Sequence, residues 1–232
     1  CLTLVILPPI PFDKSQFLGT FGLWFGWYGF NPGSWLAAGT EIGGIAVNTT
    51  LAGSMGAIAA MMTTWVRSGK PDVAMAGNGL LAGLVGVTAG AWVVNGLGAI
   101  VIGTCAGIIV VFAVTFFDKV RIDDPVGAVS VHGVCGAFGT LAVGLFSSIE
   151  VDGVIKKGLF YGGGTTLLGK QALGVALVAG YSFIATLIIG YAIEKTIGFR
   201  IAKDAEIEGI DLKEHAESAY EYASSSRGGA NL

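Results

Sequence analysis

His132 is the first residue whose chemistry stands out, because it is the only histidine in the apolar body of the chain. It lies in the stretch DDPVGAVSVHGVCG, residues 123–136. An imidazole exchanges protons near neutral pH and needs a hydrogen-bond partner when it is buried. At helical spacing, its face would present only small neighbours: Ala128, Cys135, Gly136 and Gly139. Such a face leaves space in front of the ring, for a close helix or for a lumen.

A second candidate lies in GLWFGWYGFNPGS, residues 22–34. Trp27, Phe30 and Ser34 have the spacing i, i+3 and i+7, so they share one helical face. Aromatic rings with one hydroxyl can hold a small cation through cation–π attraction and a hydrogen bond. An aromatic belt at a membrane interface explains the same residues equally well.

Asp124 followed by Pro125 is a typical helix start, with aspartate as the N-cap and proline at the first helical position. The Asp123–Asp124 pair could also form an acidic site. We favour a structural helix cap at Asp124 together with an ion pair to Arg121.

The elements that must position these residues are membrane helices. The 232 residues are 53% hydrophobic and 12% charged, their mean hydropathy is +0.73, and residues 42–66, 73–117 and 171–193 carry no charge. A spanning helix needs about 20 mainly apolar residues. The sequence predicts an all-α polytopic membrane protein with six transmembrane helices, near 16–36, 43–66, 73–94, 97–117, 126–148 and 171–196. His132 would lie inside the fifth, where ionisable residues are usually functional rather than structural.

Composition also limits the function. The net charge is −3 without a basic patch, which argues against a nucleic-acid partner. Three scattered cysteines give neither a disulfide framework nor a metal motif. Neither HExxH, a P-loop nor GxSxG occurs, so we predict neither an enzyme nor a bound cofactor. His215 falls in a polar tail, where solvation is the default.

Basic residues set the predicted orientation. Six spans put both termini and the loops at 67–72 and 118–124 on one side. That side carries Lys14, Arg67, Lys70, Lys119, Arg121, Arg200, Lys203, Lys213 and Arg227, with Lys195 at its edge, against Lys156, Lys157 and Lys170 opposite. The positive-inside rule then predicts cytoplasmic termini. The predicted organisation is an N-terminal segment over 1–14, a helical bundle over 15–198 and a cytoplasmic tail over 199–232.

The chain contains 38 glycines, and several form pairs four residues apart. These are Gly79/Gly83, Gly86/Gly90 and Gly103/Gly107. Helices in lipid associate through close backbone approach, so we expect these pairs at helix contacts.

Several segments resemble the ammonium transporter (Amt/Mep/Rh) family. LGTFGLWFGWYGFNPGS resembles its sixth transmembrane helix, AGNGLLAGLVGVTAG its eighth, and DDPVGAVSVHGVCGAFGTLAVGLF its tenth. GFRIAKDAEIEGIDLKEHAESAYEY is similar to its cytoplasmic C-terminal segment. The motifs cover residues from about 8 to 225 in family order.

The resemblance implies a homotrimer in which each subunit has a narrow apolar pore. By position, His132 resembles the second of two pore histidines that relay a proton, Phe30 one of two gating phenylalanines, Trp27 a pore-lining aromatic, and Ser34 the hydroxyl of an outer ammonium site. Ammonium would lose its proton on desolvation, because an apolar pore disfavours the charged form. The tail implies contact with a neighbouring subunit and, in many microbes, with a trimeric PII-type protein.

The chain departs from the family pattern in length. Family members resemble two inverted halves of five helices plus a last helix, about eleven spans, and this chain matches only the second half and the last helix. We therefore expect a C-terminal fragment whose transport activity belongs to a longer protein in the plasma membrane. Alternatives are an ammonium sensor with the same fold and a non-transporting fragment. A Rh-like gas channel is disfavoured by GWYGFNPGS, which resembles the Amt branch.

Overall fold

A computed structural model describes residues 12–124, 126–153, 155–199 and 201–208 of the chain. Residues 1–11 of the predicted N-terminal segment and the tail beyond 208, including His215, lie outside the described residues.

The described residues are mostly helical, as the sequence predicts. The α-helices are α1 (Phe12–Phe30), α2 (Glu41–Ser68), α3 (Val73–Thr88), α4 (Gly96–Lys119), α5 (Cys135–Phe146), α6 (Thr166–Thr196) and α7 (Lys203–Glu208). A π-helical segment, Val129–Val134, leads directly into α5. Short 3-10 turns cover Gly33–Trp35 and Leu159–Tyr161, and an isolated β-bridge joins Val151 to Ile155.

Four of the described helices are long and apolar enough to cross a membrane. They are Glu41–Ser68, Gly96–Lys119, Val129–Phe146 and Thr166–Thr196, and Val73–Thr88 is a shorter apolar helix. The six crossings predicted from the sequence therefore stay a prediction. Two predicted spans also end early: α1 ends at Phe30 instead of residue 36, and α3 ends at Thr88 instead of residue 94.

Local chemistry explains both early ends. After α1, the chain turns at Asn31–Pro32 and continues as a 3-10 turn, because proline disfavours helix at the residue before it. After α3, the amide of Asn48 donates hydrogen bonds of 2.9 and 2.8 Å to the carbonyl oxygens of Ala91 and Val94. A buried side chain thus satisfies carbonyls that a continued helix would have used.

Contacts divide the chain into two compact units. One is Asp13–Val178, and the described residues of the other are 12, 179–199 and 201–208. In the second unit, the described residues include the end of α6, where Glu194 accepts a hydrogen bond of 2.9 Å from the backbone of Phe199. All predicted site residues belong to the first unit.

In the first unit, α3 lies directly against α2. A Cβ added to Gly83 would collide with the backbone of Ala52, and one added to Gly79 would collide with the backbone of Gly56. The Gly79/Gly83 pair therefore lies at a helix contact, as predicted.

Ala52 and Gly56 of α2 also contact α4. A side chain at Gly103 would meet the backbone of Ala52, and one at Gly107 would meet that of Gly56. Three helices therefore meet with their backbones nearly in contact, which is how small residues hold membrane helices together.

In the remaining predicted pair, Gly86/Gly90, the two glycines have different surroundings. Gly86 of α3 approaches Ala106 of α4, and a Cβ on Gly139 of α5 would collide with the backbone of Gly86. Gly90 lies beyond the end of α3, and the two atoms nearest to its Cβ position belong to the side chains of Val94, at 3.3 Å, and Val143, at 3.4 Å. This arrangement brings α5, and with it the segment that carries His132, against α3 and α4.

Candidate functional site

Polar contacts fix the rotation of α1 against the bundle. The hydroxyl of Tyr28 shares a hydrogen bond of 2.7 Å with that of Thr50, and the buried amide of Asn31 donates 3.1 Å to the hydroxyl of Thr49. Both partners lie on α2 and are themselves bonded to carbonyls one turn earlier. These contacts determine which side of α1 points away from α2.

Trp27 is the residue of α1 that reaches the end of α3. Its indole Nε1–H donates a hydrogen bond of 2.9 Å to the hydroxyl oxygen of Thr88. The indole also stacks on the imidazole of His132, with ring centroids 6.5 Å apart and planes inclined by 22°. Residues separated by more than a hundred positions in the sequence thus meet as one stacked pair.

Phe30 extends this contact along α1. Its ring meets the indole of Trp27 edge to face, with centroids 5.8 Å apart and planes at 79°. This distance and angle are typical of favourable aromatic pairs. The Phe30 side chain is 56% exposed, so its far face is open to a ligand or to another protein surface.

Ser34 completes a row of four residues. Its hydroxyl donates a hydrogen bond to the backbone carbonyl of Phe30. Since the hydroxyl proton is used in this way, its lone pairs are free to accept. We call Ser34, Phe30, Trp27 and His132 the aromatic row.

The π-helical segment carries His132 and is held by Asp124. One carboxylate oxygen accepts from the backbone of Val129 at 2.9 Å, and the other accepts from the backbone and hydroxyl of Ser130 at 3.0 and 2.9 Å. Burial raises the pKa of the Asp124 carboxyl. The hydrogen bonds from Val129 and Ser130 together lower the pKa by more than burial raises it, so the pKa lies below its usual value.

Asp124 therefore caps the helix start, but in a different way from the prediction. The helix begins at Ala128, not at residue 125, and the carboxylate reaches forward to the first free N–H groups. The predicted ion pair with Arg121 does not occur among the described residues, since the carboxylate is directed at the backbone instead.

The predicted small-residue face around His132 is wrong. Cys135 is buried with its thiol on the carbonyl of Ala106, and Gly139 lies against Gly86, whereas His132 is exposed. The reason is the π-helical segment, because its wider turn rotates later residues relative to an α-helix. The open side of His132 therefore does not result from small neighbours.

The side chains of the aromatic row and its neighbours determine what chemistry the row can offer. Within the described ranges, groups of three or more His, Cys, Asp or Glu side chains that could hold a metal ion do not occur. The hydrogen bonds of Asp124 go to the backbone and hydroxyl at the helix start, so this carboxylate is not a partner for His132. The row offers one acid–base group, aromatic faces and one hydroxyl acceptor.

Sequence reasoning missed Thr88 and Asn48. Thr88 sits in a run of glycines and aliphatic residues, where a single hydroxyl gives no periodic signal. Asn48 matches a glycosylation acceptor with Thr50, a match that its position in a span excludes. It is buried and bonded to two carbonyls. A polar side chain inside an apolar span is the signal that could have identified either residue.

Comparison with known proteins identifies similar chains. The model of the Ammonium Transporter Family matches residues 12–220. The ammonium transporter of Mycobacterium bovis is 44% identical over 211 residues, which is 89% of this chain and 44% of the relative. Ammonium transporter Amt1 of Archaeoglobus fulgidus is 38% identical over 203 residues, 88% of this chain and 51% of the relative. The chain thus spans about half the length of the curated relatives it matches.

Solved structures agree with these matches. A structure described as a sensor Amt protein is 34% identical with a TM-score of 0.77, over 85% of this chain and 48% of that one. Mep2 of Candida albicans is 34% identical with a TM-score of 0.76, over 83% of this chain and 44% of that one.

Proposed function

Because the chain belongs to the ammonium transporter family, we propose that the protein carrying it transports ammonium or ammonia across a membrane along the aromatic row. The observation that supports this most directly is the stack of Trp27 on His132, with Phe30 packed on the other side of the indole. Relatives named as ammonium transporters belong to transport proteins rather than enzymes.

The first step is recruitment at Ser34 and Phe30. The Ser34 hydroxyl accepts a hydrogen bond from ammonium, and the exposed ring of Phe30 supplies cation–π attraction. An exposed cation–π contact contributes about 0.5–1 kcal/mol, which binds the ion weakly enough for release. Phe30 then acts as one side of a gate, since a ring in the path excludes hydrated ions.

The second step is deprotonation and passage along His132. A bare cation is strongly disfavoured in an apolar pore, so ammonium gives up its proton and ammonia moves along the face of Trp27. His132 can accept and return a proton because its two ring nitrogens interconvert between donor and acceptor. As one histidine of a relay, it carries the proton while ammonia moves separately.

We propose that further polypeptide forms the wall opposite His132. His132 and Phe30 are exposed in this chain, and the matched relatives are about twice its length. A complete path needs a second histidine and a second gating ring on that wall. The remaining elements of the proposal are six crossings, a cytoplasmic C-terminus, a plasma-membrane location, a homotrimer, and regulation through residues 199–232, including by a PII-type protein.

The test is ammonium transport by the native polypeptide that carries this chain. Purified protein in liposomes is given an ammonium pulse, and both transient current and internal pH are recorded. We expect His132→Ala to lower the current at least about tenfold, because a positioned acid–base group contributes about that factor or more. Asp123→Asn is the control, because it changes an exposed side chain outside the aromatic row, and it should retain full current. Absence of flux in the wild type would contradict transport, and full current in His132→Ala would contradict the role of His132.

A sensor is the second candidate, because the similar structure described as a sensor Amt protein has a TM-score of 0.77. A sensor would bind ammonium at the same row and change the conformation of its tail without moving the ion. The two functions separate in one preparation: saturable ammonium binding without flux favours the sensor, and flux favours the transporter.

A further inference from the structure

Thr88 is the last residue of α3, and a hydrogen bond joins it to Trp27 of the aromatic row. Its hydroxyl donates a hydrogen bond of 2.7 Å to the carbonyl of Leu84, one turn earlier on α3. The same oxygen accepts 2.9 Å from the indole Nε1–H of Trp27. The side chain is half-buried, at the place where α3 ends and the chain turns towards α4.

We infer that Thr88 is a positioning residue, which fixes the orientation of the Trp27 indole that stacks on His132. The inference concerns a residue whose role sequence patterns do not predict. Its transport consequences rest on the proposed function, whereas its structural consequences do not.

The directions of the two hydrogen bonds of Thr88, one donated to Leu84 and one accepted from Trp27, support this role. An indole N–H is only a donor, and a threonine hydroxyl has one proton and two lone pairs. Since Thr88 gives its proton to Leu84, its lone pairs are the part directed at Trp27. The bond to Leu84 also selects one of the two χ1 rotamers that threonine adopts in a helix. Thr88 is thus a fixed acceptor at the end of a rigid helix.

Trp24, the other tryptophan of α1, has no such acceptor and can be compared with Trp27. It lies one turn before Trp27, and its Nε1 is buried without a hydrogen-bond partner among the described residues. Its ring contacts Phe21 and does not enter the aromatic row. The acceptor at Thr88 is therefore what distinguishes the tryptophan that stacks on His132.

Removal of this acceptor should release the ring. Trp27 would keep its edge contact with Phe30 but lose the bond that sets the angle of its plane to His132. The indole would then sample other orientations, and ammonia would meet a less uniform face beside the imidazole. Thr88→Val keeps the shape of the side chain and replaces the hydroxyl with a methyl group, which cannot accept a hydrogen bond.

The decisive experiment is NMR of indole-¹⁵N tryptophan in the native polypeptide in lipid nanodiscs, with Trp27 assigned through Trp27→Phe. In Thr88→Val we expect the Trp27 N–H resonance to move upfield and its exchange with D₂O to speed up. The ring-current shift on the His132 ring protons should also shrink. Thr88→Ser should restore all three signals. Thr104→Val is the matched control, because Thr104 bonds the carbonyl of Ile100 in the same way on α4. It should leave the three signals unchanged.

Transport gives a second, separate measurement. We expect Thr88→Val to lower ammonium flux about fivefold, the factor expected for one lost hydrogen bond, and Thr88→Ser to recover most of it. Thr88→Val should add no further loss in a Trp27→Phe background, because the two residues would act through one bond. Should Thr88→Val fail to fold, Thr88→Cys, a weak hydrogen-bond partner, carries the same test.

Unchanged Trp27 and His132 signals in Thr88→Val would overturn the inference, as would equal losses in Thr88→Val and Thr104→Val. If the wild type shows no flux, the proposed function fails, and the NMR signals alone decide the role of Thr88.

Discussion

Two regions of the first unit use glycine and aromatic residues in opposite ways. Where α2, α3 and α4 meet, glycines bring backbones together, and Ala52 and Gly56 are each approached from both sides. Along the aromatic row, large rings stand partly exposed. Trp27 donates one hydrogen bond to Thr88, and the Asp124 carboxylate accepts three at the start of the π-helical segment. The comparison teaches that small residues mark contacts between helices, whereas the exposed His132 lies on a π-helical segment whose faces helical spacing does not predict.

The largest expected effect tests the packed region. Gly103→Ala places a methyl group against the backbone of Ala52, which cannot move aside. Overpacking of this kind costs about 1–3 kcal/mol, and a backbone neighbour makes the upper end the expected value. The measurement is the free energy of unfolding in mixed micelles, followed by the loss of helical circular dichroism.

The matched control for Gly103→Ala is Gly174→Ala in α6, where the added methyl group has no neighbour within 4 Å. Alanine is a better helix former than glycine by up to about 1 kcal/mol, so this variant should be neutral or more stable. Equal destabilisation by Gly103→Ala and Gly174→Ala would contradict the claim that only glycines at helix contacts are sensitive to an added methyl group.

The second prediction concerns the buried amide within the packed region. Asn48→Ala removes the donor for the carbonyls of Ala91 and Val94. We expect a loss of about 2 kcal/mol, because two buried hydrogen bonds of about 1 kcal/mol each disappear. The unfolding assay measures the loss, and amide exchange at residues 91–98 should become faster. Asn78→Ala serves as the control, since the half-buried Asn78 amide lies near Gly127 rather than at residues 91–98, and it should be less destabilising. Slow, unchanged exchange at 91–98 in Asn48→Ala would show that the α3–α4 turn does not depend on Asn48.

These two regions were not equally predictable from the sequence. Long charge-free runs predict apolar helices, and Gly79/Gly83 and Gly103/Gly107 predict helix contacts, because both signals depend on composition and spacing alone. The meeting of Trp27 with His132 was accessible only through family resemblance, since the two residues lie far apart in the chain.

The π-helical segment could not be predicted, and it changed the face that His132 presents. Its first N–H groups are bonded to the Asp124 carboxylate, and Cys135 and Gly139, which follow it, pack on α4 and α3. Helical periodicity assumes a constant turn, so a single wider turn moves every later residue to another face. The early end of α3 had the same kind of cause, because Asn48 acts from another helix.

The smallest expected effect concerns Asp124, whose carboxylate is hydrogen-bonded to the start of the π-helical segment that carries His132. Asp124→Asn keeps the size of the side chain but replaces one acceptor oxygen with an N–H₂ donor that faces backbone N–H groups. Both carboxylate oxygens accept hydrogen bonds, so replacing one of them with a donor should lower stability by about 1 kcal/mol at neutral pH. Asp123→Asn is the matched control, since the neighbouring side chain is exposed, and it should leave stability unchanged.

The pH dependence of this loss follows from the lowered pKa of Asp124. A carboxyl with a lower pKa in the folded state contributes its full stability above its unfolded pKa, about 3.9. The contribution disappears as the pH falls below that value and through the folded pKa. The difference in unfolding free energy between wild type and Asp124→Asn should therefore be constant from about pH 7 to 5 and shrink towards pH 3. A difference that stays constant to pH 3 would show that the ionised carboxylate does not hold the π-helical segment, and that the segment depends on its packing against α3 and α4 alone.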